Sequence, residues 1–489
     1  MNRKLGFKPL PTFIAIAITA VIWMIPPSEG LSAQGWHLLA IFVGIIAAII
    51  GKAMPIGALS VIAVMIVAVS GITSEKPGEA MNHALSSYSN PLIWLIGVAI
   101  MISRGLLKTG LGARIGYWFI ALFGKKTIGI AYSLSLSELL LAPVTPSNTA
   151  RGGGIIHPIM KAIAGSYHST PEQNTQHRIG KYLALVNYHA NPISSAMFIT
   201  ATAPNPMVVN LIAETVGSDF RLTWGAWAIA MLLPGLVAFA VMPLVLYWLY
   251  PPKIKETPNA VQFANDRLQE LGKMSFDEKI MLVIFAILLI LWADLPALLL
   301  QDKALSVNAT ATAFIGLSLL LLSGVLTWDD VLKEKNAWDT IIWFGALIMM
   351  ATYLNKLGVI KWFSLTLESG ISDLGLSGMV AGALLVLAYL YAHYMFASTT
   401  AHITAMFGAF LAAAISLGAP PMLAALMMAA ASNIMMTLTH YATGTSPVIF
   451  GSGYTTLREW WQAGFVMSVV NVVIFALVGG LWWKVLGYW

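Results

Sequence analysis

Cysteine is absent from this sequence. No disulfide, thiolate nucleophile or cysteine-ligated metal is therefore open to it. Charge is scarce as well: Asp, Glu, Lys and Arg make up 10% of the 489 residues, against 58% hydrophobic residues. A soluble domain carries about a quarter charged residues. The composition excludes that class and points to a polytopic membrane protein. Metal and nucleotide motifs are missing too. There is no HExxH and no Asp/Glu cluster, and the GxG strings lack both a strand–loop–helix context and a P-loop lysine. A zinc enzyme and an ATP-driven pump are thereby disfavoured, and no cofactor or metal is expected. The net charge of +6 sits in short loops, so it reads as topology rather than as nucleic-acid affinity. The 17 tryptophans and 24 methionines read as interface belts and packing.

What is present is a set of apolar runs with two polar interruptions. Spans are expected at about 12–26, 36–52, 55–72, 91–108, 181–213 and 224–250, then at about 279–299, 309–326, 338–356, 421–450 and 461–487. The first, behind Arg3 and Lys4, imitates a signal peptide but lacks a clear small-residue cleavage site, and reads as a retained span. Residues 110–126 are short, basic at both ends and aromatic in the middle, as is usual for an interfacial helix. A second surface helix is expected near 358–370. Residues 251–278 form the largest hydrophilic insert, a linker between two halves with a short surface helix.

The first interruption is Leu141–Ile155, LAPVTPSNTARGGGI. Pro143, Pro146 and Gly152-Gly153-Gly154 break the helix around Ser147-Asn148-Thr149. Broken backbone at membrane depth is tolerated only inside protein or beside a water-filled cavity. The second is Ser398-Thr399-Thr400-Ala401-His402, which repeats Ser147-Asn148-Thr149-Ala150-Arg151 in pattern. Upstream, aligning Gly97 with Gly345 pairs Ile100/Ile348, Met101/Met349, Leu106/Leu354, Lys108/Lys356 and Gly110/Gly358 without a gap. Downstream, Thr200–Asn205 and Thr443–Pro447 give each half a polar break in a span. Paired broken segments in two halves point to a transport site between repeats.

Residues 128–163 and about 376–417 are accordingly expected as re-entrant hairpins. Each repeat then has five full spans, an odd number, so the second is inverted. The fold class is an all-α membrane protein of about 11 transmembrane helices plus two hairpins. Residues 1–30 are an extra span, 31–250 the first inverted repeat, 251–278 a cytoplasmic linker and 279–489 the second repeat. With the N-terminus cytoplasmic and the C-terminus outside, 20 of the 27 Lys and Arg residues face the cytoplasm and 6 face out, with Arg151 within the membrane. That is the positive-inside bias of a cytoplasmic membrane protein.

Half-helix N-termini and small donors suit carboxylate oxygens. Ser147, Asn148, Thr149, Ser398, Thr399 and Thr400 are the expected substrate-binding residues of the tips, with Thr202, Asn205, Thr445, Ser446 and Pro447 from the broken spans. Arg151 is always ionised and His402 conditionally so. Together these favour a small anion with two or three carboxylates. The alternatives are a helix-capping Arg151 and a neutral, hydrogen-bonded His402. His157, His189, His393 and His440 are assigned no role.

APVTPSNTARGGGIIHPI, FASTTAH and YATGTSPVIFGSGY resemble the divalent anion/sodium symporter family, and the similarity runs through essentially the whole chain. The last two are most similar to its citrate–succinate and tartrate–succinate antiporters and plastid oxoglutarate–malate translocators. The resemblance implies a homodimeric elevator in the lipid bilayer, with a scaffold part at about 12–126 and 279–370. The transport part would be at about 128–250 and 376–489. It implies substrates such as 2-oxoglutarate, malate, succinate or citrate. The sodium-coupled members carry Ser-Asn-Thr in both tips and small neutral residues where Arg151 and His402 stand. Here Thr399 replaces the second asparagine. Arg151 and His402 are thus expected to replace the coupling cations, giving exchange without sodium. The rival within the class is a sodium-coupled symporter. The rival outside it is an intramembrane enzyme or channel, for which no nucleophile–base pair or continuous pore is plain.

Overall fold

In the computed structural model, residues 5–217, 222–372 and 378–489 are described. Arg3 and Lys4, and residues 376–377 of the expected second hairpin, lie outside the described residues.

Local signals set the helix ends. Asn90 caps the helix Pro91–Thr109 by accepting from Leu92 N at 3.0 Å, and Pro91 needs no donor at its first position. The helix stops at Gly110, whose φ of +78° is left-handed. The matching helix Lys335–Lys356 stops at Gly358 with φ +81°. The Gly110/Gly358 alignment therefore marks the same turn twice.

The order of elements repeats as well. The chain begins with α1 (Pro9–Met24). The first half follows as α2 (Ala33–Ile50), α3 (Ile56–Val69), α4 (Pro77–Leu85), α5 (Pro91–Thr109) and α6 (Leu111–Phe123). It continues as α7 (Thr127–Leu141), α8 (His157–Ser166), α9 (Gly180–Met197), α10 (Pro204–Val216) and α11 (Trp224–Leu249). The linker forms α12 (Pro258–Glu270). The second half runs α13 (Phe276–Trp292), α14 (Leu295–Leu300), α15 (Ala309–Leu322), α16 (Trp328–Lys333), α17 (Lys335–Lys356) and α18 (Val359–Ser372). Then come α19 (Gly378–Ala392), α20 (Thr399–Ser416), α21 (Pro421–Ile434), α22 (Thr445–Phe450), α23 (Leu457–Ile474) and α24 (Gly480–Val485).

Among the described residues, eight helices are long and apolar enough to cross a membrane, and five shorter apolar helices accompany them. The protein is an all-helical, multi-pass membrane protein. The expected span at 279–299 divides in two: Asp294 turns left-handed at φ +56° and Pro296 opens α14. The last span winds through a π-helical stretch at Phe475–Gly479.

The halves interlock. α5 packs on α15 and on α17, while α17 packs on α3. Arg114 of α6 forks onto Glu278 of α13, Nε to Oε1 at 2.6 Å and Nη2 to Oε2 at 3.1 Å, both side chains almost wholly buried. Polar contacts join α10 to α5 and α17: Asn90 donates to Asn210 at 3.1 Å and Thr352 to Glu214 at 2.7 Å.

Buried aromatic donors hold the first break in place. Trp227 Nε1 donates to Ala196 O at 2.9 Å, satisfying a carbonyl at the end of α9. Trp224 Nε1 donates to Thr200 Oγ1 at 2.9 Å within the first break. At the second break, Gly464 of α23 lies against backbone: a Cβ there would come within 2.3 Å of Thr437 O and 2.8 Å of Leu438 O. Gly464→Ala is expected to destabilise the protein by about 1–3 kcal/mol through overpacking. Thermal unfolding in detergent measures it, and an unchanged midpoint would show that this contact yields freely.

Candidate functional site

The two tips repeat each other bond for bond. Ser147 Oγ accepts from Ala150 N at 3.1 Å, and Ser398 Oγ accepts from Ala401 N at 3.3 Å. Arg151 N donates to Ser147 O at 3.0 Å, and His402 N to Ser398 O at 3.1 Å. Each serine thus caps the returning half-helix. The second tip needs neither proline nor glycine, because a 3-10 turn at His393–Met395 and extended backbone at Ser398 make the break.

The first return begins as a π-helical stretch, Thr149–Ile156. Its glycines allow close approach. A Cβ on Gly152 would meet Asn191 at 2.9 Å and Thr445 at 3.2 Å, and one on Gly153 would meet Val448 at 3.1 Å. The triple glycine therefore packs the first hairpin against both α9 and α22.

The tips converge on one stretch of backbone. Asn148 Nδ2 donates to Thr443 Oγ1 at 3.0 Å, and Thr399 Oγ1 donates to the adjacent Ala442 O at 3.2 Å. Thr149 Oγ1 lies 3.5 Å from Thr445 Oγ1. Ser147, Asn148, Thr149, Ser398 and Thr400 are half-buried. Asn205 is buried and ties the breaks together: it donates to Ser195 O at 2.7 Å and accepts from Asn433 Nδ2 at 3.0 Å. Thr202 is buried and Pro447 exposed. Ser446 is also buried, its Oγ 2.6 Å from the hydroxyl of Tyr188.

Arg151 does not face an open site. Its Nε donates to Glu138 Oε1 at 2.6 Å, and both side chains are fully buried. Nη1 donates to Thr145 O at 2.5 Å and Ala201 O at 2.9 Å. Nη2 donates to Ser194 Oγ at 3.2 Å and Ser195 Oγ at 3.1 Å. Five N–H groups thus meet five acceptors drawn from α7, the first tip, α9 and the first break. Sequence reasoning expects a guanidinium partner for substrate; the geometry instead has a cation neutralised and enclosed by protein. Asn191 Nδ2 (2.6 Å) and Ser194 Oγ (3.2 Å) also donate to Glu138 Oε1.

His402 is enclosed as well. Its ring lies 4.5 Å from that of Phe396 and 4.6 Å from that of Tyr389, centroid to centroid. Its Nδ1 is 2.9 Å from Nδ1 of His393, whose Nε2 is 3.0 Å from Ala442 O. With Nε2–H of His393 donating to that carbonyl, its Nδ1 accepts from Nδ1–H of His402, so both nitrogens of His393 are satisfied while Nε2 of His402 is buried without a partner. Ala442 O therefore receives donors from both His393 and Thr399.

Sequence reasoning missed Glu138, Asn191, Ser194, Ser195 and His393. Asn187, Asn191, Ser194 and Ser195 share a face of α9 by helical spacing. Glu138 is the one acidic residue between Glu79 and Glu172. Among the described residues no group of three or more His, Asp or Glu side chains is arranged to hold a metal ion.

Comparison with known proteins follows the same lines. A model of the sodium:sulfate symporter transmembrane region matches residues 8–489. The putative malate transporter YflS of Bacillus subtilis (strain 168) is 47% identical over 488 residues, covering 100% of this chain and 98% of that protein. Dicarboxylate transporter 1, chloroplastic, of Spinacia oleracea is 44% identical over 484 residues, covering 99% of this chain and 82% of that protein. The solved structure of the Alcanivorax borkumensis YdaH transporter has a TM-score of 0.56 at 13% identity, covering 97% of this chain and 98% of that one, a likeness of fold alone. The chain belongs to the sodium:sulfate symporter family, the divalent anion/sodium symporters that its tip motifs resemble, and is a transporter rather than an enzyme.

Proposed function

We propose that this protein exchanges di- or tricarboxylates across the cytoplasmic membrane as an elevator-type antiporter that needs no sodium. The named relatives support dicarboxylate as the substrate class. One observation carries the finer reading: the Arg151 guanidinium occupies the nest of Thr145 O, Ala201 O, Ser194 Oγ and Ser195 Oγ between the first tip and the first break. Backbone carbonyls at such breaks are what coordinate sodium in coupled carriers. A fixed side chain there takes the ion's place, and Glu138 balances it.

In this reading the repeated order of elements is an inverted repeat. Substrate carboxylates are held by Asn148, Thr149, Thr399 and Thr400 with the half-helix N-termini. α7–α11 and α19–α24 move against α1–α6 and α13–α18, the latter holding a homodimer. Purified protein in malate-loaded liposomes tests the substrate class. External succinate, 2-oxoglutarate or citrate should compete with labelled malate, and an equal concentration of acetate should not. Equal competition by acetate would remove the two-carboxylate requirement.

A further inference from the structure

A cavity of about 620 Å³ opens between the start of α1, the α2–α3 turn and the second tip. Its lining includes Lys8, Lys52 and Ser398, and no acidic side chain. Neither lysine takes part in an ion pair among the described residues. Ser398 is the cap of α20, so the cavity reaches from the exposed surface to the tip itself.

Lys52 is held there against local preference. Its φ is +51°, the left-handed region where glycine or asparagine costs least. The turn is pinned on both sides: Lys52 N donates to Ile49 O at 3.0 Å, Ala53 N to Ala48 O at 2.9 Å, and Lys8 N to Ala53 O at 2.9 Å. The last bond also ties the start of α1, and hence Lys8, to the same turn. Strained backbone that persists because its surroundings determine it is found where position matters. Two ammonium groups at one mouth, with no carboxylate in its lining, raise the local concentration of an anion.

We propose that Lys8 and Lys52 form a reception site for the carboxylate substrate at the mouth leading to the second tip, on the face that carries the start of α1. This rests on the reading of the protein as a dicarboxylate carrier. The site acts on capture and not on translocation, because both lysines stand on α1 and the α2–α3 turn, outside the hairpins and broken spans.

The absence of cysteine makes the test specific. Lys52→Cys is reconstituted and its KM for malate measured at low ionic strength, with malate presented to the face carrying the α1 start. KM should rise about three- to tenfold with the maximal rate unchanged. Modification with an aminoethyl methanethiosulfonate, which restores an ammonium, should return KM to the wild-type value. The sulfonatoethyl reagent should raise it further. Molar salt should erase all these differences. Lys8→Cys is carried through the same series, so that a folding defect at the left-handed turn cannot decide the outcome. The same KM for the cysteine variants and both adducts, or a change in maximal rate alone, would overturn the proposal. Wild-type protein that fails to exchange malate in these liposomes would instead overturn the functional reading.

Discussion

Arg151→Ala is expected to abolish exchange in potassium medium and to destabilise the protein by about 3–5 kcal/mol, the cost of breaking a buried ion pair from one side. The change leaves Glu138 as an unpaired buried carboxylate and deprives Thr145 O, Ala201 O and the hydroxyls of Ser194 and Ser195 of their donor. It also leaves a space ringed by oxygens around one negative charge, which suits a hard cation. Sodium at high millimolar concentration should therefore restore part of the lost stability and part of the exchange. Glu138→Gln should be destabilised similarly but gain nothing from sodium, because an unpaired guanidinium then stands in the nest. Arg151→Lys should fall between, since a single ammonium cannot reach five acceptors at once. Unfolding midpoints and malate exchange rates in sodium and in potassium measure all three variants. Arg151→Ala exchanging at the wild-type rate in potassium would end the role given to this cation.

The architecture is legible in the sequence where the signal is periodic or duplicated. The aligned Gly110 and Gly358 both turn out to be left-handed helix stops, and Ser147 and Ser398 make the same capping bond. These are local features that neighbouring residues determine, so a repeat in sequence carries over to geometry. The partners of Arg151 and His402 are not of that kind. Glu138 lies 13 residues before Arg151 on the other arm of the hairpin, and Ala201 lies 50 residues after it. Whether a buried cation faces a ligand or a protein anion depends on packing that no motif records. A lone acid within an otherwise apolar arm was the available clue, since an intramembrane charge demands a partner. The helical face Asn187–Asn191–Ser194–Ser195 was the other. The division of the span near 294 was also legible in principle, from Pro296 after Asp294.

Labelled malate is expected to enter liposomes only when they are preloaded with unlabelled dicarboxylate, and replacing sodium by potassium on both sides should change the rate by less than about twofold. The sodium half follows from occupancy. At the first tip the carbonyls and hydroxyls that would coordinate an ion already accept from Arg151. At the second, Ala442 O accepts from His393 and Thr399, and the His402 ring lies against those of Phe396 and Tyr389. The exchange half does not come from the charge of Arg151 itself. An unpaired Arg151 would cost roughly 2.5–3.5 kcal/mol to carry through the bilayer even on the mildest scale, but Glu138 cancels that charge. In the proposed carrier, what remains are the positive ends of the half-helices starting at Thr149, Pro204 and Thr399, which would face a site without an anion when the carrier is empty. At roughly 1 kcal/mol each, three such ends slow the empty return by about a hundredfold. A bound dicarboxylate removes that penalty in both directions, so loaded carriers cross and empty ones lag. Sodium-driven accumulation of malate in empty liposomes is the opposing result. It would mean that an ion site persists beside the Arg151–Glu138 pair, and the symporter reading would replace this one.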